Sequence, residues 1–202
     1  MGSPAFTRLD VDERRRRLLE TGARVFAEHS YDEVSMSDLA RAAGISKGLL
    51  YHYFPSKRDF FTATLAAAAA ELAAVTQPDP SLPPAEQLAR SVDAYLAWIE
   101  ENAKGYRRLL ESAASPDVRS LIDEVRERTV ERIVEGVTAG GPRGTLRLAV
   151  RQWLWGMDGA ILDWLDTREL GRAQLRDLLL GSFAGAVAAA SQVDPGVELA
   201  LG

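Results

Sequence analysis

The segment from Ser35 to Phe61 constrains the fold of this 202-residue chain more than any other part of the sequence. It opens with Ser35-Met-Ser-Asp38, the pattern of a capping box, in which a serine and an acid three residues later cap each other's free backbone N–H groups. Gly44 then predicts a helix end, because glycine adopts the left-handed conformation at the lowest cost. Ser46 caps a second helix, and Pro55 ends it. The sequence therefore predicts two short helices joined by a tight turn.

These two helices carry apolar residues at a spacing that lets them pack against each other. The predicted members of this small core are Leu39, Ala40, Ile45, Leu50 and Phe54. With these residues inside, the second helix projects six others outward: Lys47, Gly48, Leu49, Tyr51, His52 and Tyr53. An α-helix fits the major groove of B-DNA, and the residues at its N-terminal end reach the base edges. The pattern predicts a helix-turn-helix that binds double-stranded DNA.

Helical periodicity dominates the rest of the chain, and we predict an all-α fold. An amphipathic helix precedes the two short ones, over 11–28. A proline-rich break lies at 77–84, and further breaks are predicted at Lys104-Gly105, Ser115-Pro116, Gly140-Gly-Pro142 and Gly171. They separate helices predicted near 85–102, 104–113, 117–138, 144–166 and 172–191. The tail after Val193 is expected to be frayed.

Composition and charge restrict the classes of function. The chain has no Cys, which excludes disulfides, thiolate metal sites and a Cys nucleophile. It has only two His, too few for a His-rich metal site. We find no His beside a Ser–acid pair and no glycine-rich phosphate loop after a strand, so we predict neither an enzyme nor a cofactor. No secretory signal is visible, and no apolar run approaches the roughly 20 residues of a membrane span. We therefore expect a cytoplasmic protein.

The net charge of −5 is unevenly distributed along the chain. Residues 1–58 contain ten Lys and Arg against eight Asp and Glu, whereas residues 59–202 contain fourteen against twenty-one. A polyanionic partner such as DNA is therefore expected to meet only the N-terminal part.

The segment discussed first resembles the DNA-binding domain of the TetR family of bacterial regulators. The family signature runs roughly I-A-x-x-A-G-V-S-x-G-x-L-Y-x-H/Y-F-x-S-K-x-x-L/F. This chain matches it, in order and spacing, with Leu39, Ala40, Ala43, Gly44, Ile45, Ser46, Gly48, Leu50, Tyr51, Tyr53, Phe54, Ser56, Lys57 and Phe61. The resemblance covers residues 8–61, about a quarter of the chain. It implies a dimeric regulator whose C-terminal helices form a ligand chamber, with the last two helices pairing between subunits.

Residue by residue, the resemblance implies that Tyr53 and Lys57 hold DNA phosphates. Lys57 also begins a helix, where backbone N–H groups and the helix dipole favour an anion. Lys47, Leu49 and His52 would face base edges, because lysine can donate to guanine and leucine can pack on a thymine methyl. The complete predicted DNA-binding set is Ser35, Ser37, Ser46, Lys47, Gly48, Leu49, Tyr51, His52, Tyr53 and Lys57.

Several assignments in this region stay open at the level of sequence. Leu49 stands where the family commonly has Thr or Ser, and Ser30 where it usually has Gly, so the operator does not follow by analogy. Tyr51 fits either a core or a DNA-contacting position, and His52 fits an idle surface residue equally. The run Arg14 to Arg17 is either a solvated helix face or a source of contacts to the DNA backbone or minor groove.

Candidates for the ligand chamber and the dimer interface come from the C-terminal helices. The residues expected to line the chamber are Tyr95, Trp98, Tyr106, Leu109, Leu110, Arg151, Trp153, Met157 and Asp158. Most of them are aromatic or apolar. The two charged residues, Arg151 and Asp158, either orient a ligand, cross the dimer interface or reach solvent. The expected dimer interface consists of Leu162, Leu175, Leu179, Gly181, Phe183, Ala184 and Val187.

These observations predict a ligand-responsive transcriptional regulator. We predict a repressor that binds a palindromic operator as a homodimer and is released by a small, mostly apolar effector. The alternative is an activator, or a regulator of the same fold controlled by a protein partner. The predicted domains are a helix-turn-helix domain at 8–61, a ligand-binding and dimerisation domain at 62–193, and the frayed tail at 194–202.

Overall fold

The computed structural model describes residues 8–141 and 143–199, and these are almost entirely α-helical. Its elements are α1 (Arg8–Glu28), α2 (Met36–Ala42), α3 (Lys47–Tyr53), α4 (Lys57–Val75), α5 (Pro84–Glu101), α6 (Ala103–Ser112), α7 (Pro116–Val137), β1 (Thr138–Gly140), α8 (Gly144–Thr167), α9 (Arg172–Val193) and β2 (Glu198–Leu199). Within the described ranges the two strands form one antiparallel pair. The predicted all-α fold is confirmed.

The break expected at Lys104-Gly105 is wrong by two residues. The chain turns at Asn102, whose backbone N and side-chain Nδ2 both donate to the carbonyl oxygen of Trp98, at 3.0 and 2.9 Å. Gly105 instead lies inside α6, where an added Cβ would be 3.7 Å from the Cβ of Ala27. The glycine therefore lies within α6 on the side that faces α1, and it does not end a helix.

The segment after α9 also differs from the frayed end that we expect. Glu198 and Leu199 pair with β1, and Val197 is buried. Gly141 adopts a φ of +80°, and a Cβ at this position would lie 2.1 Å from the carbonyl oxygen of Gly196, so only glycine fits here. The chain is thus held against the α7–α8 connection up to residue 199, and residues 200–202 lie outside the described residues.

The chain divides into two compact units. The first contains residues up to 72 together with 104–119, and the second contains 73–103 and the residues from 120 onward. Consequently α6, which the predicted boundary after residue 61 assigns to the second domain, packs with the N-terminal helices. No described helix combines the length and apolar character needed to cross a membrane.

An aromatic cluster forms the core of the first unit. Phe26 contacts Phe61 edge-to-face with ring centroids 4.8 Å apart, and Phe54 contacts Phe60 in the same way at 4.7 Å. Tyr31 packs on Phe61 at 4.9 Å. These rings are all at least nine-tenths buried, and they fix the ends of α1, α3 and α4 relative to one another.

The second unit is built around α8 and α9. Trp153 of α8 packs on Phe183 of α9 at 4.9 Å, and its Nε1 donates to the carbonyl oxygen of Leu179 at 3.0 Å. On another side of α8, ion pairs join it to α7. Arg126 pairs with Asp158, and Arg151 pairs with Glu127.

Candidate nucleic-acid interface

The first short helix of the interface, α2, begins with the predicted capping box. The Ser35 hydroxyl accepts from the backbone N–H of Asp38 at 3.2 Å, and the Asp38 carboxylate accepts from the backbone N–H of Ser35 at 3.1 Å. The hydrogen bonds from Ser35 lower the pKa of Asp38 below its ordinary value. This capping contribution is therefore present above the ordinary carboxyl pKa and is lost as the pH falls through the lowered one.

The turn after α2 is closed by a pair of backbone hydrogen bonds. Ile45 N donates to Ala40 O and Gly44 N donates to Arg41 O, both at 3.1 Å, which is the pattern of a Schellman motif. Gly44 has a φ of +66°. No atom lies within 4 Å of the position that a Cβ would take there, so the glycine is required by backbone conformation and not by space.

Replacing Gly44 by Ala is expected to lower the free energy of unfolding by about 1 kcal/mol, because a left-handed L-residue costs about 1–2 kcal/mol and the restricted unfolded chain offsets part of this. Urea unfolding followed by circular dichroism measures the change. Gly105→Ala is the matched control, since that glycine is helical and its Cβ would make only an ordinary contact with Ala27. An equal loss in both variants would contradict the role assigned to Gly44.

The second short helix, α3, turns its polar side outward because two of its apolar residues are held inside. Ser46 caps it by accepting from the N–H of Leu49 at 3.2 Å. Leu50 is completely buried, and Phe54, which follows the helix, is 2% exposed. The exposed residues of α3 are Lys47, Gly48, Tyr51 and His52, while Leu49 and Tyr53 are half-buried. Of the predicted base-facing residues, Lys47 and His52 are thus exposed, and Leu49 is partly so.

Tyr51 lies on this surface and not in the core. Its side chain is 42% exposed, and the Lys47 Nζ lies 5.9 Å from the centre of its ring. The sequence leaves open whether Tyr51 lies in the core or on the outer surface of α3, and in the structure it lies on the outer surface. Tyr53 is next to His52, with ring centroids 5.7 Å apart.

Lys57, at the first position of α4, is held by Tyr31. Its Nζ donates to the carbonyl oxygen of Tyr31 at 3.0 Å and lies 4.2 Å from the centre of the Tyr31 ring. An ammonium group has three N–H donors, so two remain for another acceptor. Lys57 is half-buried, which leaves the group accessible from solvent.

Serines predicted to clamp a phosphate lie at the start of α2. Ser37 is half-buried and Ser35 is exposed, but the Ser35 hydroxyl already donates to the Asp38 carboxylate. A phosphate contact from Ser35 would therefore compete with the capping box. This competition is visible only in the structure.

The residues predicted for the ligand chamber are distributed over both units. Tyr106, Leu109 and Leu110 belong to α6 in the first unit and are half-buried. The other candidates belong to the second unit: Tyr95, Trp98, Arg151, Trp153, Met157 and Asp158. Trp153 and Met157 are buried.

The polar atoms among these candidates differ in whether they have partners. Arg151 donates to Glu127 at 2.7 and 2.9 Å, which lowers the pKa of that carboxyl, and Asp158 pairs with Arg126. Both charges are therefore balanced by α7. By contrast, the Nε1 of Trp98 is buried and has no acceptor among the described residues.

Four of the residues predicted for the dimer interface are buried inside the chain itself: Leu175, Leu179, Phe183 and Val187. They face inward on α9, where Phe183 contacts Trp153. Leu162 is half-buried, whereas Gly181 and Ala184 are exposed. The structure therefore gives the first four a place in the subunit's own core, and the exposed face of α9 is a different one.

The predicted dimer interface does not include the large apolar residues that α8 and α9 leave exposed. Leu148 is 62% exposed, Trp155 is 56% exposed and Leu178 is 57% exposed. Leu148 and Trp155 are seven residues apart, and Leu178, Gly181, Gly185 and Ala188 follow each other at spacings of three or four. Residues at these spacings lie on one face of a helix, so the spacing could have identified this face from the sequence.

Two family models match the chain. The model described as bacterial regulatory proteins, tetR family, matches residues 18–64, and the model described as tetracyclin repressor-like, C-terminal domain, matches residues 84–186. Among solved structures, a tetR-family transcriptional regulator from Streptomyces coelicolor is 31% identical with a TM-score of 0.74. That match covers 96% of this chain and 86% of the other.

Two curated proteins are similar over much of the chain. The HTH-type transcriptional activator FasR from Mycolicibacterium smegmatis is 28% identical over 138 residues, which are 66% of this chain. The HTH-type transcriptional repressor DhaR from Mycobacterium sp. is 29% identical over 180 residues, 86% of this chain and 80% of DhaR. The chain spans 63% of the length of FasR, less than two thirds of it.

Proposed function

Because this chain belongs to the TetR family of bacterial regulatory proteins, we propose that it is a ligand-responsive repressor that binds a palindromic operator as a homodimer. The family consists of helix-turn-helix transcriptional regulators and not of enzymes. The observation that carries the proposal is the exposed side of α3, which buried Leu50 and Phe54 hold outward. We place this activity in the cytoplasm, where the DNA is.

In the proposed complex, α3 lies in the major groove. Lys47 and His52 approach base edges, and Leu49 contacts a thymine methyl. Tyr53, Lys57 and the start of α2 contact phosphates on either side of the groove. Selection of bound duplexes from a random pool tests this. We expect enrichment of two inverted half-sites, spaced by one or more helical turns. Retention of random sequence without any common site would refute the proposal.

The phosphate contact proposed for Lys57 has a measurable consequence. Lys57→Ala is expected to weaken binding to every duplex alike and to lower the slope of log affinity against log salt by about 0.9 for each contacting subunit. Lys57→Arg should keep the slope, because it keeps the charge. Arg90→Ala removes a cation that is paired with Glu86 on α5, outside the DNA-binding unit, and serves as the control. An unchanged slope for Lys57→Ala alone would contradict the contact.

The homodimer is supported by the exposed faces of α8 and α9. The face of α9 that carries Leu178, Gly181, Gly185 and Ala188 consists of one leucine and small residues, with the charged Asp177 at its edge, and the small side chains permit close approach of another helix. Trp155 on α8 is a large apolar side chain in contact with water. Exposed apolar patches of this kind mark contact surfaces, and a second copy of the chain presents the same face in a two-fold arrangement.

The effector proposed for this protein is small and mostly apolar with one hydrogen-bond acceptor. The supporting observation is the buried Nε1 of Trp98, because a buried donor without an acceptor is unfavourable and a ligand can supply the missing partner. Tyr95 and Trp98 lie three residues apart on α5, so they share a helix face. Thermal shift assays with a panel of apolar alcohols, ketones and carboxylic acids would identify the class.

Helix α6 gives a route by which a ligand could affect DNA binding. Within the first unit, Lys104 pairs with Glu28 at 3.0 Å, and the backbone N–H of Tyr31 donates to the buried Ser112 hydroxyl at 3.4 Å. The carbonyl of the same Tyr31 accepts from Lys57. A ligand that favours another position of α6 would therefore act on the residues that hold Lys57, shifting the population away from the DNA-binding form.

Activation is the second candidate, because FasR is named an activator and matches 66% of this chain. A promoter–reporter fusion that carries the selected operator distinguishes the two. Repression predicts that adding the protein lowers the reporter signal, and activation predicts that it raises the signal.

A further inference from the structure

The four consecutive arginines of α1 have different surroundings. Arg16 donates to the Glu13 carboxylate at 2.8 Å and also pairs with Glu20. Arg17 donates to Glu13 at 2.8 Å. These two side chains form ion pairs along the exposed surface of the helix. Arg14 also has a partner in the chain.

Arg15 differs because an aromatic ring holds it. Its side chain is exposed, and its guanidinium carbon lies 5.0 Å from the centre of the Phe54 ring. No carboxylate or carbonyl of the described residues accepts a hydrogen bond from it. Successive helix residues point about 100° apart, so at most one or two of the four arginines can face the same partner.

The position of the Phe54 ring places the Arg15 guanidinium beside the end of α3. Phe54 directly follows α3, is 2% exposed, and is fixed edge-to-face against Phe60 at 4.7 Å. Tyr53 precedes it, and Lys57 lies three residues further along. Arg15 therefore lies at the C-terminal end of α3, in the segment to which we assign phosphate contacts.

We propose that Arg15 binds a phosphate of the DNA backbone at this end of α3, an inference that rests on the proposed function. A guanidinium has five N–H donors that point outward in its plane, so its contact with the Phe54 ring does not use up these donors. A planar edge with two parallel N–H groups fits two phosphate oxygens. The contact carries no sequence information, and it adds to affinity for every duplex.

The test uses the full-length chain and compares three variants. Binding to the selected operator and to a random-sequence duplex is measured by fluorescence anisotropy between about 50 and 200 mM salt. Arg15→Gln is expected to lower affinity for both duplexes by a similar factor, about fivefold or more, and to reduce the slope by about 0.9 for each contacting subunit. Arg15→Lys should restore the slope. Arg16→Gln, which removes an arginine already paired with carboxylates, should leave the slope unchanged.

Each outcome decides between defined alternatives. An unchanged slope for Arg15→Gln, with wild-type protein still selecting an operator, overturns the assignment of Arg15 alone. A reduced slope that Arg15→Lys does not restore indicates a packing role on Phe54 and also overturns it. Failure of the wild-type chain to bind any duplex refutes the proposed function itself. Thermal melting of each variant excludes loss of folded protein as the cause.

Discussion

Replacing Trp155 by Glu is expected to convert the proposed homodimer into monomers and to lower operator affinity by about 100-fold or more. In the isolated chain the side chain of Trp155 is 56% exposed although it lies on a helix whose opposite side is deeply buried. A large aromatic residue at such a position contributes to stability only when another surface covers it. The face of α8 and α9 described above would provide that cover in two copies.

The size of the effect follows from area and charge. A tryptophan buries about 150–250 Å² when covered, and at about 25 cal/mol per Å² even half of this is worth roughly 2–3 kcal/mol for each copy. Glutamate loses this term and brings two like charges into one interface, which adds a desolvation penalty. Because a two-fold axis relates the two subunits of the proposed homodimer, the substitution is present on both sides of the interface and its effect counts twice. The loss of simultaneous binding to two half-sites then reduces the affinity for the operator.

Light scattering coupled to size-exclusion chromatography measures the oligomeric state, and anisotropy measures operator binding. Val125→Glu is the control, because Val125 of α7 is an apolar residue that is 40% exposed and lies outside this face. We expect that variant to remain dimeric. If the Trp155→Glu protein were still dimeric at micromolar concentration, the dimer would have to use another surface.

The local parts of the DNA-binding unit could be predicted because the signals are local. Ser35 and Ser46 cap the helices to which the sequence assigns them, and Gly44 has the positive φ expected of a helix-ending glycine. Each signal depends on residues at most five positions away. The order of the buried and exposed residues on α3 then follows from helical periodicity once Leu50 is placed inside.

The parts that could not be predicted depend on distant residues. The pattern of Leu175, Leu179 and Phe183 identifies an apolar face of α9, but it does not tell whether the same chain or a partner covers that face. Likewise, the sequence identifies Lys57 as a cation near DNA, but not that the Tyr31 carbonyl, 26 residues away, holds its ammonium group. The pairing of β2 with β1 joins residues about 60 positions apart and has no periodic signal.

Gly48→Val is expected to abolish specific DNA binding, with a loss of about 100-fold, while leaving the fold intact. Gly48 lies in the first turn of α3 on the exposed side, and an added Cβ would meet no atom within 4 Å in the free protein. Helix propensities of Gly and Val differ by only about 0.5 kcal/mol, so stability should hardly change. The two methyl groups would instead occupy the space through which the backbone approaches the duplex.

The comparison with Gly44→Ala separates this effect from general damage to the helix-turn-helix. Gly44→Ala is expected to lower stability without changing the affinity of the folded protein, since Gly44 is needed for its positive φ. Gly48→Val is expected to do the reverse, because its cost arises only when DNA is present. Melting curves and anisotropy on the same preparations give both quantities. If Gly48→Val bound the selected operator as tightly as the wild-type chain, α3 would not approach DNA through this residue, and another surface of the first unit would have to contact the groove.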